Sequence, residues 1–164
     1  MKRVICLDVG EKRIGVAVSD DLGWTAQGVE TIHTRGAEND RARVCELLRQ
    51  YDTDVIVSGL PKNLDGSEGF QAQRVKDFVA PLQEMGYRVI FQDERMTTMS
   101  AHRTLLEADV SRAKRKQVVD KLAATYILQN FLDSGGLNRL LEPEKKKVME
   151  HIDYYEKKHR VELK

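Results

Sequence analysis

Between Arg3 and Asp20 the chain reads RVICLDVGEKRIGVAVSD, two apolar runs joined by the short Val9-Gly10-Glu11-Lys12 turn. The first run, Arg3–Leu7, is nearly continuous hydrophobe, the pattern of a strand covered on both faces. Yet it ends on a carboxylate, Asp8. A charge in such surroundings is costly unless something pairs with it. The stretch is either a β-hairpin with a polar turn or the floor of an active site, and the rest of the chain has to decide.

The hydrophobic periods that follow define the fold class. Arg3–Asp8, Arg13–Ser19 and Ala26–Ile32 read as three strands with short connections, an antiparallel meander. Ala37–Tyr51 has helical spacing, with Val44, Leu47, Leu48 and Tyr51 on one stripe. Asp54–Leu60 is a strand, Gly69–Met85 a helix, and Tyr87–Gln92 a strand. Pro81 is expected to kink or end the second helix, because it removes a backbone donor and clashes with the preceding turn. Helices over Thr97–Ala108 and Gln117–Asp133 complete the order βββ-α-β-α-β-α-α, stopped by Gly135-Gly136. Strands that alternate with helices pair in parallel, so the last three are expected to do so. The chain therefore predicts an α/β fold with a five-stranded mixed sheet flanked by helices. The nearest thing to a boundary is Ser134-Gly135-Gly136, which divides a 1–136 domain from a 137–164 extension expected to be helical past Pro143.

Composition narrows the function classes. A chain of 164 residues, 41% apolar and 32% charged, is the size and make-up of one globular domain. No run of about 18 apolar residues is present to cross a membrane. The apolar start is interrupted by Asp8 and Glu11, unlike a signal segment. Cys6 and Cys45 have neither zinc nor redox spacing and read as buried thiols, which points to a reducing cytoplasm. Net charge is +1, which carries no information about nucleic acid, but Arg112, Lys114, Arg115, Lys116 and Lys121 crowd one segment. Such a cluster is either a phosphate-binding patch or the solvated start of a helix.

Three carboxylates converge on one end of the predicted sheet. In an open sheet, ligands gather outside the carboxyl ends of the parallel strands. Asp8 lies at such an end, and Asp93-Glu94 follow directly on the strand Tyr87–Gln92. On a helix of about 100° per residue, the arc around Asp120 holds Ala123, Ala124, Ile127, Leu128 and Phe131 and no other charge. Asp120 thus sits at the centre of a face that should dock on the sheet. It must be protonated, paired with an arginine such as Arg95 or Arg13, or bound to a metal. Three carboxylates suit hard divalent cations. Two Mg²⁺ ions about 4 Å apart would serve phosphodiester hydrolysis. GLPKNLDGSEG, 59–69, is either a plain strand–helix loop or a turn whose amides, with Asn63 or Ser67, face phosphates; it lacks the Walker spacing. Gly15 and Ala17 share one strand face, leaving room for a helix or a cofactor. Thr97 and Thr98 read as helix caps, and the four histidines share no ligand spacing.

LDVGEKRIGVAVSD at 7–20, GLPKNLDGSEG at 59–69, DERMTT at 93–98 and VDKLAATYILQNFLD at 119–133 together resemble the YqgF/RuvX family. The resemblance covers roughly residues 2–134. It implies a ribonuclease H-like fold and a nuclease, described either as maturing the precursor of small-subunit ribosomal RNA or as resolving Holliday junctions. It also implies an acidic triad of Asp8, Glu94 and Asp120 holding Mg²⁺, with Mn²⁺ as a substitute, and selects Glu94 over Asp93. Arg13 and Arg95 would lie near the site, and Lys114, Arg115 and Lys116 would bind the substrate backbone. The expected partner is RNA precursor or branched DNA, met by a monomer or a homodimer and away from membranes. Two other classes are weighed against this. One is a non-catalytic nucleic-acid-binding module for ribosome assembly, which needs the basic segment and not the acids. The other is an ATP-binding domain opening on Asp-x-Gly, which needs two such domains where 164 residues hold one.

Overall fold

The computed structural model describes residues 3–94 and 112–140, excluding the side chains of 112–121. Its elements are β1 (Ile5–Val9), β2 (Arg13–Ser19), β3 (Ala26–His33), α1 (Ala37–Gln50), β4 (Val55–Leu60), α2 (Phe70–Glu84), β5 (Arg88–Asp93) and α3 (Arg112–Asp133). They form one five-stranded sheet in the order β3-β2-β1-β4-β5. The doubly apolar first run therefore becomes the central strand, antiparallel to β2 and parallel to β4.

Both faces of β1 are covered. Ile5 and Leu7 enter a core with Val44, Leu47 and Leu48 of α1 and Phe78, Val79 and Leu82 of α2. Val4 and Cys6 enter a second core with Ala124, Ile127, Leu128 and Phe131 of α3. The alanines let α3 approach the strands closely. Leu137 and Leu140, just beyond Gly135-Gly136, also pack against this second core. At the amino end of β1, the Ser19 hydroxyl accepts the Val4 N–H at 2.8 Å. At the other end, the β1–β2 turn closes through the Gly10 N–H to the Arg13 carbonyl at 2.9 Å. A Cβ at Gly10 would stand 2.7 Å from that carbonyl oxygen, which is why the turn carries glycine.

Three expectations need correction. First, β3 runs in the same direction as β4 and β5 but pairs only with β2, because the α1 crossover inserts β4 beside β1. Second, Pro81 does not end α2, which continues to Glu84 with the Met85 N–H on the Pro81 carbonyl at 3.1 Å. Pro81 stands in the last turn of the helix, so the bond it cannot make to Asp77 interrupts the ladder only there. Third, the last helix begins at Arg112 rather than Gln117, so the basic segment forms its opening turns. The expected helix Thr97–Ala108, with Thr97, Thr98 and Arg95, and the extension from 141 onward lie outside the described residues. Among the described residues no helix is long and apolar enough to cross a membrane.

Candidate active site

Strand alternation places Asp8 on the α3 face of the sheet, two residues after the buried Cys6. Its cross-strand partner on β2 is Gly15. On the other side the parallel register runs Cys6 with Val57 and Leu7 with Ser58, which brings Asp8 alongside Gly59. A glycine therefore flanks the carboxylate on either side. Gly59 in turn pairs with Gln92 of β5, two residues before Glu94.

Glu94 follows β5, with its N–H reaching the Leu60 carbonyl at 3.4 Å. Its side chain folds back across the sheet, so that its Oε2 fills the space a Gly59 Cβ would need. The Ile127 Cδ1 lies 2.8 Å from the same point. The missing side chain at 59 is what admits the carboxyl group between strand and helix. There Glu94 meets Asp8, and the two carboxyl groups share a hydrogen bond. Such a bond requires a proton, which the pair holds in common. Burial first, then the charge of Asp8, the shared bond and the charge of Asp93 push Glu94 up to about 9. Burial also pushes the Cys6 thiol well up, with Asp8 and Glu94 adding to it, so Cys6 stays a thiol and offers no nucleophile.

Two converging carboxyl groups, one of them forced to hold a proton, form a site short of positive charge. Their oxygens are the hard donors that Mg²⁺ and Mn²⁺ take. Among the described residues no three His, Cys, Asp or Glu side chains gather as a metal site. The third expected ligand is at position 120, in the part of α3 whose side chains are not described. Its backbone can be located. Ile127 lies over Gly59, and two residues on, the Gln129 side chain bonds the Ala26 N–H and the Trp24 carbonyl at the amino end of β1. The helix thus enters from the carboxyl end of β1, and position 120, about 10 Å before Ile127 at 1.5 Å per residue, lies toward that end.

The other expected residues divide. Arg13 opens β2, half-buried, on the same face as Gly15. Lys114, Arg115 and Lys116 belong to the first turns of α3, their side chains outside the described set, and Arg95 is outside it altogether. Asp93 lies within β5 opposite Leu60, and Glu94 is the residue that reaches Asp8. The 59–69 loop closes on itself: the Asn63 amide donates to the Ser67 hydroxyl at 2.9 Å and the Ser67 hydroxyl to Asp65 at 2.6 Å. That favours the plain-loop reading. Sequence reasoning missed the spatial role of Gly59, although a glycine interrupting the run VIVSGL was a usable signal.

A family model described as "RuvX: Holliday junction resolvase" matches residues 2–134. A protein of Moorella thermoacetica named "Putative pre-16S rRNA nuclease" is 55% identical over 137 residues, 83% of this chain and 98% of that protein. One of the same name from Clostridium tetani is 51% identical over 133 residues, covering 80% and 96%. Among solved structures, T. thermophilus RuvC in complex with a Holliday junction substrate matches with a TM-score of 0.54 and 16% identity, covering 83% of this chain and 97% of that one. At that identity the likeness establishes the fold, which is ribonuclease H-like.

Proposed function

The chain belongs to the RuvX family, and on that premise we propose that it is a divalent-metal-dependent endonuclease acting on the precursor of small-subunit ribosomal RNA. The observation that carries this is the carboxyl pair Asp8–Glu94 over Gly59, which holds a proton where a cation would otherwise neutralise it. The name of the relatives supports the RNA substrate.

Asp8 and Glu94, together with Asp120, are the residues that would hold Mg²⁺ or Mn²⁺. When bound, the cation supplies activation of water and neutralisation of charge on the phosphate. To serve as a ligand Glu94 would have to be ionised, and the charge of a cation would offset the repulsion from Asp8 that now holds its proton in place. Cys6 stays protonated, so attack falls to water. The bond broken is that between phosphorus and the 3′ oxygen, leaving 5′-phosphate and 3′-hydroxyl ends. Arg13, Arg95, Lys114, Arg115 and Lys116 would hold the substrate backbone, which makes affinity fall with salt. The two free, buried cysteines agree with a cytoplasmic setting.

The description of the family model favours one other substrate, a four-way DNA junction. Symmetric cutting of a junction calls for a two-fold dimer with paired sites, whereas RNA maturation needs one site. The test compares wild type with Asp8→Asn in Mg²⁺ or Mn²⁺ on a structured single-stranded RNA, its DNA counterpart and a four-way junction. Metal-dependent cutting of the RNA that Asp8→Asn abolishes is the expected result. Preference for the junction would transfer the activity to DNA. Absence of cutting on all three substrates would leave a binding module.

A further inference from the structure

On the opposite face of the sheet, at the same end of β1, a cavity of about 390 Å³ opens between the first turns of α1 and α2. That is the size range of small-ligand pockets, which begins at roughly 300 Å³. Val9 and Gly10 form its floor, the residues directly after Asp8. Phe70, the first residue of α2, stands at its mouth 78% exposed, an unusual position for a large aromatic ring. The Arg74 guanidinium lies over this ring at 5.1 Å, and the Arg41 guanidinium lies over Phe78 at 5.5 Å.

Two arginines and two acids line the cavity, and the arginines are the groups with donors to spare. The two acids on its wall already have donors: Asp40 accepts from the Thr34 hydroxyl at 2.5 Å and the Arg35 N–H at 3.0 Å, and Asp77 from the Gln73 amide at 2.8 Å. The arginines are held loosely by comparison, Arg41 to the Phe78 carbonyl at 3.4 Å and Arg74 to Glu11 at 4.0 Å. A guanidinium carries five N–H donors and matches phosphate geometry. Both helices begin on glycine, Gly36 and Gly69, without a side-chain cap, and both first turns line the cavity. An exposed aromatic face backed by one arginine, with a second arginine lining the same cavity, is an arrangement that takes one unstacked base with its phosphate.

We propose that this cavity holds one nucleotide of the single-stranded RNA substrate, its base stacked on Phe70 and its phosphate on Arg41 and Arg74. The strand's identity rests on the nuclease reading of Asp8 and Glu94. Gly10, exposed and lacking a side chain, lies between Asp8 and the cavity it lines, so a strand whose scissile phosphate lies at Asp8 passes over it to place a neighbouring nucleotide in the cavity.

The test is the affinity of the full chain, in EDTA so that nothing is cut, for a short fluorescein-labelled oligoribonucleotide, read by anisotropy. Stacking of one base on an aromatic ring is worth about 1–3 kcal/mol, which is roughly 5- to 150-fold in affinity. Phe70→Ala is expected to weaken binding by about 10-fold or more within that range, Phe70→Trp to retain it, and Arg74→Gln to weaken it with a shallower salt dependence. Trp24→Ala removes an aromatic that is equally open, 73% exposed, at the other end of the sheet, and should change nothing. Wild-type affinity in both Phe70→Ala and Arg74→Gln overturns the proposal, as does absence of oligoribonucleotide binding by the wild type. AMP bound as tightly as the oligonucleotide, through Phe70, would make a free nucleotide the occupant and overturn the strand assignment. Phe70-dependent binding by a chain that cuts nothing would remove the nuclease reading and leave the pocket. Cutting lost in Asp8→Asn, with Phe70→Ala and Arg74→Gln both binding as wild type, would do the reverse.

Discussion

Two carboxyl groups at the same end of the sheet, one on each face, are treated in opposite ways. Asp40, on the α1 face, is 4% exposed and receives a hydroxyl and a backbone N–H. Glu94, on the α3 face, is given another acid to face, over a glycine that opens the space for it. Asp40 fixes the Thr34–Gly36 approach to α1, and removing it would leave donors without an acceptor. Replacing Glu94 by a neutral amide would relieve the conflict that forces a proton onto the pair and, on the proposed reading, remove a cation ligand. The difference separates a carboxylate that is given donors from one left to share a proton with another acid, which is what the proposed cation site calls for.

Substitution should reproduce that separation. Glu94→Gln is expected to cut metal-dependent hydrolysis by about 10³-fold, since a bound cation supplies several kcal/mol of charge stabilisation and each 1.36 kcal/mol is a factor of ten. Its melting temperature in EDTA should match or exceed the wild type's. A variant that kept its activity would mean that Glu94 is no ligand. Gly59→Ala comes next. Its methyl would collide with the Glu94 carboxyl and Ile127, and misplacing a reacting group by about 1 Å costs on the order of 10² in rate. Steady-state cleavage rates would show this, and unchanged rates would mean that Glu94 need not lie over position 59. Asp40→Ala should instead lower stability by about 1–3 kcal/mol through its unsatisfied donors. Urea unfolding measures that loss, which Glu94→Gln should not share.

Much of the fold was legible because each strand carried its own evidence. The doubly apolar Ile5–Leu7 run announced a central strand, and β2 was read to its ends. The stripe of Ala123, Ala124, Ile127, Leu128 and Phe131 does dock on the sheet. What the sequence could not convey was relative position. Placement of β4 beside β1 instead of β3 depends on how the α1 crossover packs, a long-range choice with no local signature. Likewise Asp8 and Glu94 were found as separate strand-end acids. That they share a proton follows only from Gly59 lying between them, 51 residues after one and 35 before the other. The Phe70 cavity escaped for the same reason, since its two arginines come from different helices.

The smallest effect is the most specific test of the contrast between the faces. Without metal, Glu94 titrates near 9 in the folded chain against 4.5 for an ordinary glutamate. Between those values the unfolded chain has lost the proton that the folded chain keeps, so stability falls as pH rises. The contribution is complete below about 4.5 and gone once pH passes about 9. Because the proton belongs to the pair, Asp8→Asn should also flatten the slope by removing the like charge. Thermal unfolding in EDTA at fixed ionic strength should therefore show a wild-type midpoint that declines across this window more steeply than that of Glu94→Gln. Added Mg²⁺ should raise the wild-type midpoint most at the alkaline end, where no proton competes for the carboxylates. Parallel curves for wild type and Glu94→Gln would mean that the two acids do not share a proton, and the distinction from Asp40 would then rest on hydrogen bonding alone.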